Sequence, residues 1–158
     1  MVIFYSWKNH TRAYANELAA LSNDKSFELT EKKNRSNILG SIAGCFQSLT
    51  KKEAQVTEMP DLKNETEIFV CSPVWASGIA PAIRFFINRA SLKGVKVNFL
   101  LTCASIDKHE DYRKSALDSL NGTDAAPGAA YVFACPMKGE ADADTVRDHI
   151  KKVILGDI

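Results

Sequence analysis

Two short runs near the start and middle of the chain, VIFY at Val2–Tyr5 and IFVC at Ile68–Cys71, are apolar at every position. A strand with one face in water alternates between apolar and polar residues, so an unbroken run belongs to a strand covered on both faces. Further apolar runs occupy Val95–Leu101 and Ala130–Cys135, with a weaker one at Ser26–Leu29. Between them, apolar residues recur at three- and four-residue steps: Tyr14, Leu18 and Leu21; Ile38, Ile42, Phe46 and Leu49; Ile83, Phe86, Ile87 and Ala90; Tyr112, Ala116, Leu117 and Leu120; Val146, Ile150, Val153 and Ile154. This spacing predicts helices with one buried stripe. Strand and helix therefore alternate five times. That order predicts an α/β fold, a doubly wound sheet of five parallel strands joined by right-handed crossovers, with helices on both faces. His149 falls on the apolar side of the last helix and is expected to pack there.

At 158 residues the chain has the length of one domain, expected to span 1–158, with enough apolar sequence to form a core without metals or disulfides. Twenty basic and nineteen acidic side chains leave a formal charge of +1, which argues against nucleic acid as a partner, since such partners demand a concentrated basic excess. No stretch approaches the roughly 18 apolar residues of a membrane-spanning helix, and the first residues lack the basic-then-apolar layout of a secretion signal. A cytoplasmic protein is expected. The glycosylation-like triplets at Asn9, Asn64 and Asn121 are then chance matches. Cys45, Cys71, Cys103 and Cys135 are scattered singly, with no paired spacing for zinc, and are expected as reduced, mostly buried thiols.

In a doubly wound sheet ligands bind beyond the carboxyl ends of the strands. Three loops qualify: Ser6–Thr11, Ser72–Ala80 and Thr102–His109. The first runs straight into a helix, whose free amides and positive dipole end suit a phosphate, with Lys8, His10 and Arg12 supplying charge and Ser6 and Thr11 hydroxyls. The same residues equally suit a plain helix cap. In the second loop Pro73 stiffens the strand exit, Gly78 permits a tight turn and Pro81 suits a first helical turn. Trp75 offers either a flat face for a planar ligand or a filler beneath the loop. In the third, His109 with Asp107, Glu110 and Asp111 could handle protons for a substrate, while DKHEDY at 107–112 also reads as a helix start with its acids near the amino end, the favoured reading.

The pattern Tyr5-Ser6-x-x-x-x-Thr11 followed by Ser72-Pro73-Val74-Trp75-Ala76-x-x-x-x-Pro81 resembles the flavodoxin-like family, and Gly44-Cys45-Phe46, Pro60-Asp61-Leu62 and the last helix fall where short members place similar residues. The resemblance implies a five-stranded parallel sheet of order 2-1-3-4-5 that binds FMN. It implies that Ser6, Lys8, Asn9, His10 and Thr11 hold the ribityl phosphate. Pro73, Val74, Trp75 and Ala76 would flank the isoalloxazine ring, and Thr102, Cys103, Ala104 and Ser105 would line its pyrimidine end. Family members commonly read Ser/Thr-x-Thr-Gly-Asn-Thr at the phosphate turn, whereas this chain has Ser6-Trp7-Lys8-Asn9-His10-Thr11. Asn9 tolerates the left-handed conformation that glycine would supply, and Lys8 can replace a hydroxyl contact with a charged one. The fourth-strand loop lacks the glycines often found there.

No GxSxG elbow, Walker A loop or CxxxxxR phosphatase loop is present. A flavin needs few catalytic side chains, because it brings its own redox chemistry. The balanced charge disfavours an acidic electron shuttle, which relies on long-range steering. The expectation is thus an FMN-binding oxidoreductase that passes electrons from a nicotinamide cofactor or reductase to a small acceptor such as a quinone. The alternatives are a flavodoxin-like electron-transfer protein and a cofactor-free interaction module with a degenerate phosphate turn.

Overall fold

The structure, a computed structural model, describes residues 1–32, 53–136 and 139–157. Its strands are β1 (Val2–Phe4), β2 (Ser26–Glu28), β3 (Glu67–Trp75), β4 (Gly78–Ile79), β5 (Lys96–Cys103) and β6 (Ala126–Ala134). The described helices are α1 (His10–Ser22), α2 (Pro81–Arg89), α3 (His109–Asp118) and α4 (Ala143–Leu155). The helix expected around Ile38–Leu49 and the motif at Gly44-Cys45-Phe46 lie outside the described residues.

Five strands form a parallel sheet in the order β2-β1-β3-β5-β6, and the two-residue β4 folds back antiparallel on the end of β3. Counted without that short return, the order is the expected 2-1-3-4-5. The unbroken apolar runs have the cause inferred for them: Val2 and Phe4 belong to one buried cluster with Tyr14, Leu18, Ile150 and Val153, while Ile3 and Tyr5 belong to another with Ile83, Phe86 and Phe99. Successive side chains of one strand thus feed opposite layers. Each fully buried Leu, Ile or Phe in these layers contributes about 1.5–3 kcal/mol.

The helix ends follow from local chemistry. Pro81 occupies the first turn of α2, where no amide is needed. Asp142 caps α4 by accepting from Thr145 N at 2.8 Å, and Gly156 closes it in the left-handed region at φ 73°. The α1 face buries Thr11, Tyr14, Ala15, Leu18 and Ala19, and His149 of α4 meets it: Tyr14 Oη and His149 Nδ1 lie 2.8 Å apart, with Phe133 stacked on both rings.

Two segments differ from expectation. Ala126–Gly128, which precede the apolar run at Ala130–Cys135, start β6; this is an outer strand of the sheet, where proline is tolerated. Asn98 supports the irregular register there, accepting from Ala129 N at 2.9 Å and donating to Glu67 Oε1 at 2.7 Å. A Cβ on Gly128 would fall 2.2 Å from Asn98 Oδ1, so only glycine lets the strand approach this closely. The stretch Ser72–Ala80, expected as a loop, is largely the β3–β4 hairpin. Its turn is made by Ala76 (φ 49°) and Ser77 (φ 66°) and not by Gly78, which pairs with Trp75.

Candidate ligand pocket at the carboxyl ends of the strands

A cavity of about 210 Å³ opens beyond the carboxyl ends of β1, β3, β5 and β6. The first turn brings Lys8, His10 and Thr11 to it, the end of β3 brings Pro73, Val74 and Trp75, and the end of β5 brings Thr102, Cys103 and Ala104. Nine of the residues singled out in the sequence therefore share one wall system. Four do not line it. Ser6 accepts from Arg12 N at 3.2 Å, Asn9 shapes the backbone, Ala76 projects from the hairpin on the far side of Trp75, and Ser105 bonds Asp107 at 2.7 Å in solvent.

The first turn follows the local rules set by its residues. Asn9 adopts φ 65°, the left-handed position for which it is among the best-tolerated residues. Its side chain does not cap the helix backbone; Ser6 Oγ accepts from the Arg12 amide instead. The amides at positions 10 and 11 have no intrahelical partner, as in any first turn. Of the three expected cations, Arg12 is committed elsewhere: it pairs with Glu28 at 2.5 Å and bonds Asn9 Oδ1. Lys8 and His10 remain at the cavity. Lys8 Nζ sits 4.9 Å above the Trp7 ring, and His10 Nδ1 is buried with no hydrogen-bond partner among the described residues.

The floor is pinned by a buried hydrogen bond between Thr11 Oγ1 and Thr102 Oγ1, 2.8 Å apart across 91 residues of sequence. Ser72 braces the next wall, accepting from Ala80 N and donating to Pro73 O, both at 2.9 Å. Trp75, only 8% exposed, stands edge-on to Tyr5 at 5.8 Å and to Trp7 at 6.0 Å. It both fills space under the hairpin and lines the cavity, while the more exposed Trp7 stands in front of it.

Cys135 and Pro136 complete the far wall and were missed in the sequence. The three loops that the sequence points to leave out the end of the last parallel strand, which opens on the same edge; that position is the available signal. Burial pushes the Cys135 thiol up to about 11, with the neighbouring Cys103 adding to the effect, and it raises Cys103 as well. Burial likewise raises Tyr14, whose hydroxyl lies against Cys135. Both thiols are therefore neutral near pH 7, which removes thiolate chemistry from the cavity. The wall they form is apolar and uncharged, and among the described residues lining the cavity the charged side chain is Lys8.

No protein-family model matches the chain, and no curated protein matches it in sequence. Its fold is nonetheless shared with solved flavodoxin-like proteins. A flavoprotein in complex with FMN from Lactobacillus acidophilus NCFM aligns at TM-score 0.70 and 18% identity, over 83% of this chain and 90% of that one. A candidate flavoprotein from Bacteroides uniformis ATCC 8492 aligns at TM-score 0.78 and 17% identity, over 96% and 97%. Oxidised flavodoxin 1 from Bacillus cereus aligns at 0.51 and 11%, over 98% and 95%. The chain thus has the flavodoxin-like fold, as the two sequence motifs implied.

Proposed function

We propose that the chain is an FMN-binding oxidoreductase, acting as one domain over 1–158, that takes electrons from a nicotinamide cofactor or a reductase and passes them to a small acceptor such as a quinone. The observation that carries this reading is the cavity itself: an aromatic and uncharged wall facing a cationic helix start, at the edge of the sheet where doubly wound folds bind ligands. The FMN complex among proteins of the same fold supports the choice of ligand.

The residues present fit the group. Lys8 and the amides at the start of α1 would hold the phosphate. His10 Nδ1, buried and unpartnered among the described residues, offers one further polar contact. Trp7, Trp75, Val74 and Pro73 would flank the ring, with Thr102, Cys103 and Ala104 at its polar end. Bound FMN would supply the electron-transfer chemistry. The chain's part is positional: the Thr11–Thr102 bond fixes two walls relative to one another, and the raised Cys103 and Cys135 thiols leave the far wall without a thiolate.

Titration of FMN with the purified protein is expected to quench flavin fluorescence. Lys8→Glu should weaken FMN by roughly tenfold or more while leaving riboflavin unchanged, since a charge-assisted phosphate contact is lost and a repulsion gained. Equal weakening of both would refute the phosphate assignment. No turnover of reduced nicotinamide and quinone by flavin-saturated protein would reject the enzymatic part, and no quenching at all would favour the cofactor-free module.

A further inference from the structure

A second, larger cavity of about 520 Å³ lies on the opposite side of the β3–β4 hairpin, between α2 and α3. Ser77 and Gly78 of the hairpin, Arg84 of α2, and Lys114, Ser115 and Ser119 of the α3 side line it. Arg84 is the unusual member. Its Nε is buried without a hydrogen-bond partner among the described residues, and its one bond in the region is a long one, from Nη2 to Ile79 O at 3.4 Å. Glu53, whose charge acts on Arg84 from a distance, places its own hydrogen bonds on Arg89 and on Asn88 Nδ2, the latter at 2.7 Å. A half-buried guanidinium left in this way costs free energy unless an anion completes it. Lys114 differs, because Asp111 and Asp118 flank it three residues before and four after on the same exposed helix face.

Gly78 supplies a second observation. A Cβ at that position would lie 3.5 Å from Arg84 Nη2 and 3.5 Å from Ser115 Oγ. Guanidinium and hydroxyl thus approach one point on the hairpin backbone, a point kept open by the absence of a side chain. Glycine in a strand commonly marks such close approach by a ligand. Planar, forked donors such as arginine match the oxygens of carboxylates and phosphates.

We propose that this second cavity binds a small oxyanion, a carboxylate or a phosphate group, with Arg84 as its charged anchor and Ser115 as its hydroxyl donor beside Gly78. The site is separate from the flavin reading and does not depend on it. Asp111 and Asp118 line the same cavity and place a limit on the ligand: its remaining part carries hydroxyl or amine donors and no second anionic group.

The test uses inorganic phosphate and acetate as probes, each titrated into the full chain, with and without FMN, while backbone amide shifts are followed. Saturable shifts at Ser77, Gly78 and Ser115 are expected with at least one probe. Phosphate alone would assign a phosphate group, and acetate alone a carboxylate. Arg84→Gln should weaken the response by roughly tenfold or more through loss of the charged bond. Gly78→Ala is the decisive second variant: its methyl meets only ordinary van der Waals contacts, so the fold is kept, yet it fills the point between the two donors. It should weaken the probe to a similar degree, while any phosphate response at residues 7–11 in the first cavity persists in both variants. Absence of saturable shifts, equal shifts with chloride at matched ionic strength, or an undiminished response in Gly78→Ala would overturn the proposal.

Discussion

After β1 a single residue, Asn9, stands in the left-handed region at φ 65°; after β3 two in succession, Ala76 and Ser77, do so at φ 49° and 66°. Both turns lie at the ligand edge and neither uses glycine at those positions, but the physical situation differs. Asparagine is among the residues that visit this region readily, so the first turn is relaxed and its side chains are free to take on fixed partners, as Ser6 and Thr11 do. Alanine and serine have no such tolerance. A two-residue hairpin favours Asn-Gly for this reason, and the pair here stores roughly 1–2 kcal/mol per residue in the backbone. The braced first turn forms one wall of the first cavity, and the strained second turn separates the two cavities.

The largest effect on stability should come from the braced side. Thr11→Val deletes one partner of a buried hydroxyl pair and leaves Thr102 unsatisfied, which should cost about 1–3 kcal/mol in urea unfolding. A loss within experimental error would mean that the first turn is not held as described. Replacing Ala76 by Asn together with Ser77 by Gly should act in the opposite sense, raising stability by about 1–2 kcal/mol as the turn relaxes; an unchanged midpoint would remove the contrast between the turns. At the relaxed turn, Asn9→Ala should cost about 1 kcal/mol and Asn9→Gly only a few tenths, since glycine keeps the left-handed position and asparagine makes no side-chain cap to lose. The smallest effect concerns the far anchor of α1. Burial and the neighbouring Lys152 hold His149 below the ordinary imidazole value, only partly offset by Asp148. The unfolded chain then binds the proton more readily. Stability from this group is fully present above its unfolded value, near 6.5, and is lost as the pH falls through the lower folded value. Unfolding midpoints at pH 5 and pH 8 should diverge less in His149→Gln than in the native chain.

Much of the architecture could be read from the sequence because it rests on local pattern. VIFY and IFVC could only be strands covered twice, and the three-four spacing of Tyr14 and Leu18 or of Val146, Ile150 and Val153 could only face a layer. Residues such as Lys8, Thr11, Trp75 and Thr102 were found because the carboxyl edge of a parallel sheet is a topological address. What escaped the sequence depends on contacts between distant segments. The start of β6 reads as a turn, since Ala-Pro-Gly lacks β propensity, and only its place at the sheet border and the Asn98 support make it a strand. The commitment of Arg12 to Glu28, the far wall at Cys135 and the orphaned Nε of Arg84 have no signature at short range. The hairpin escaped for another reason: Gly78 looked like the turn residue, while the left-handed strain falls on its two predecessors.

Pro127 has an outcome for how the molecule behaves among its own kind. Ala126 N–H points inward, to Val95 O at 2.9 Å, so the next residue turns its main chain away from the sheet. At that outward position proline offers no donor, and the close-packed Gly128 follows it immediately. An incoming strand seeking to lengthen the ribbon would meet a gap in the ladder at its first step. This border is guarded against fibre growth by a missing hydrogen, without any spending of surface charge.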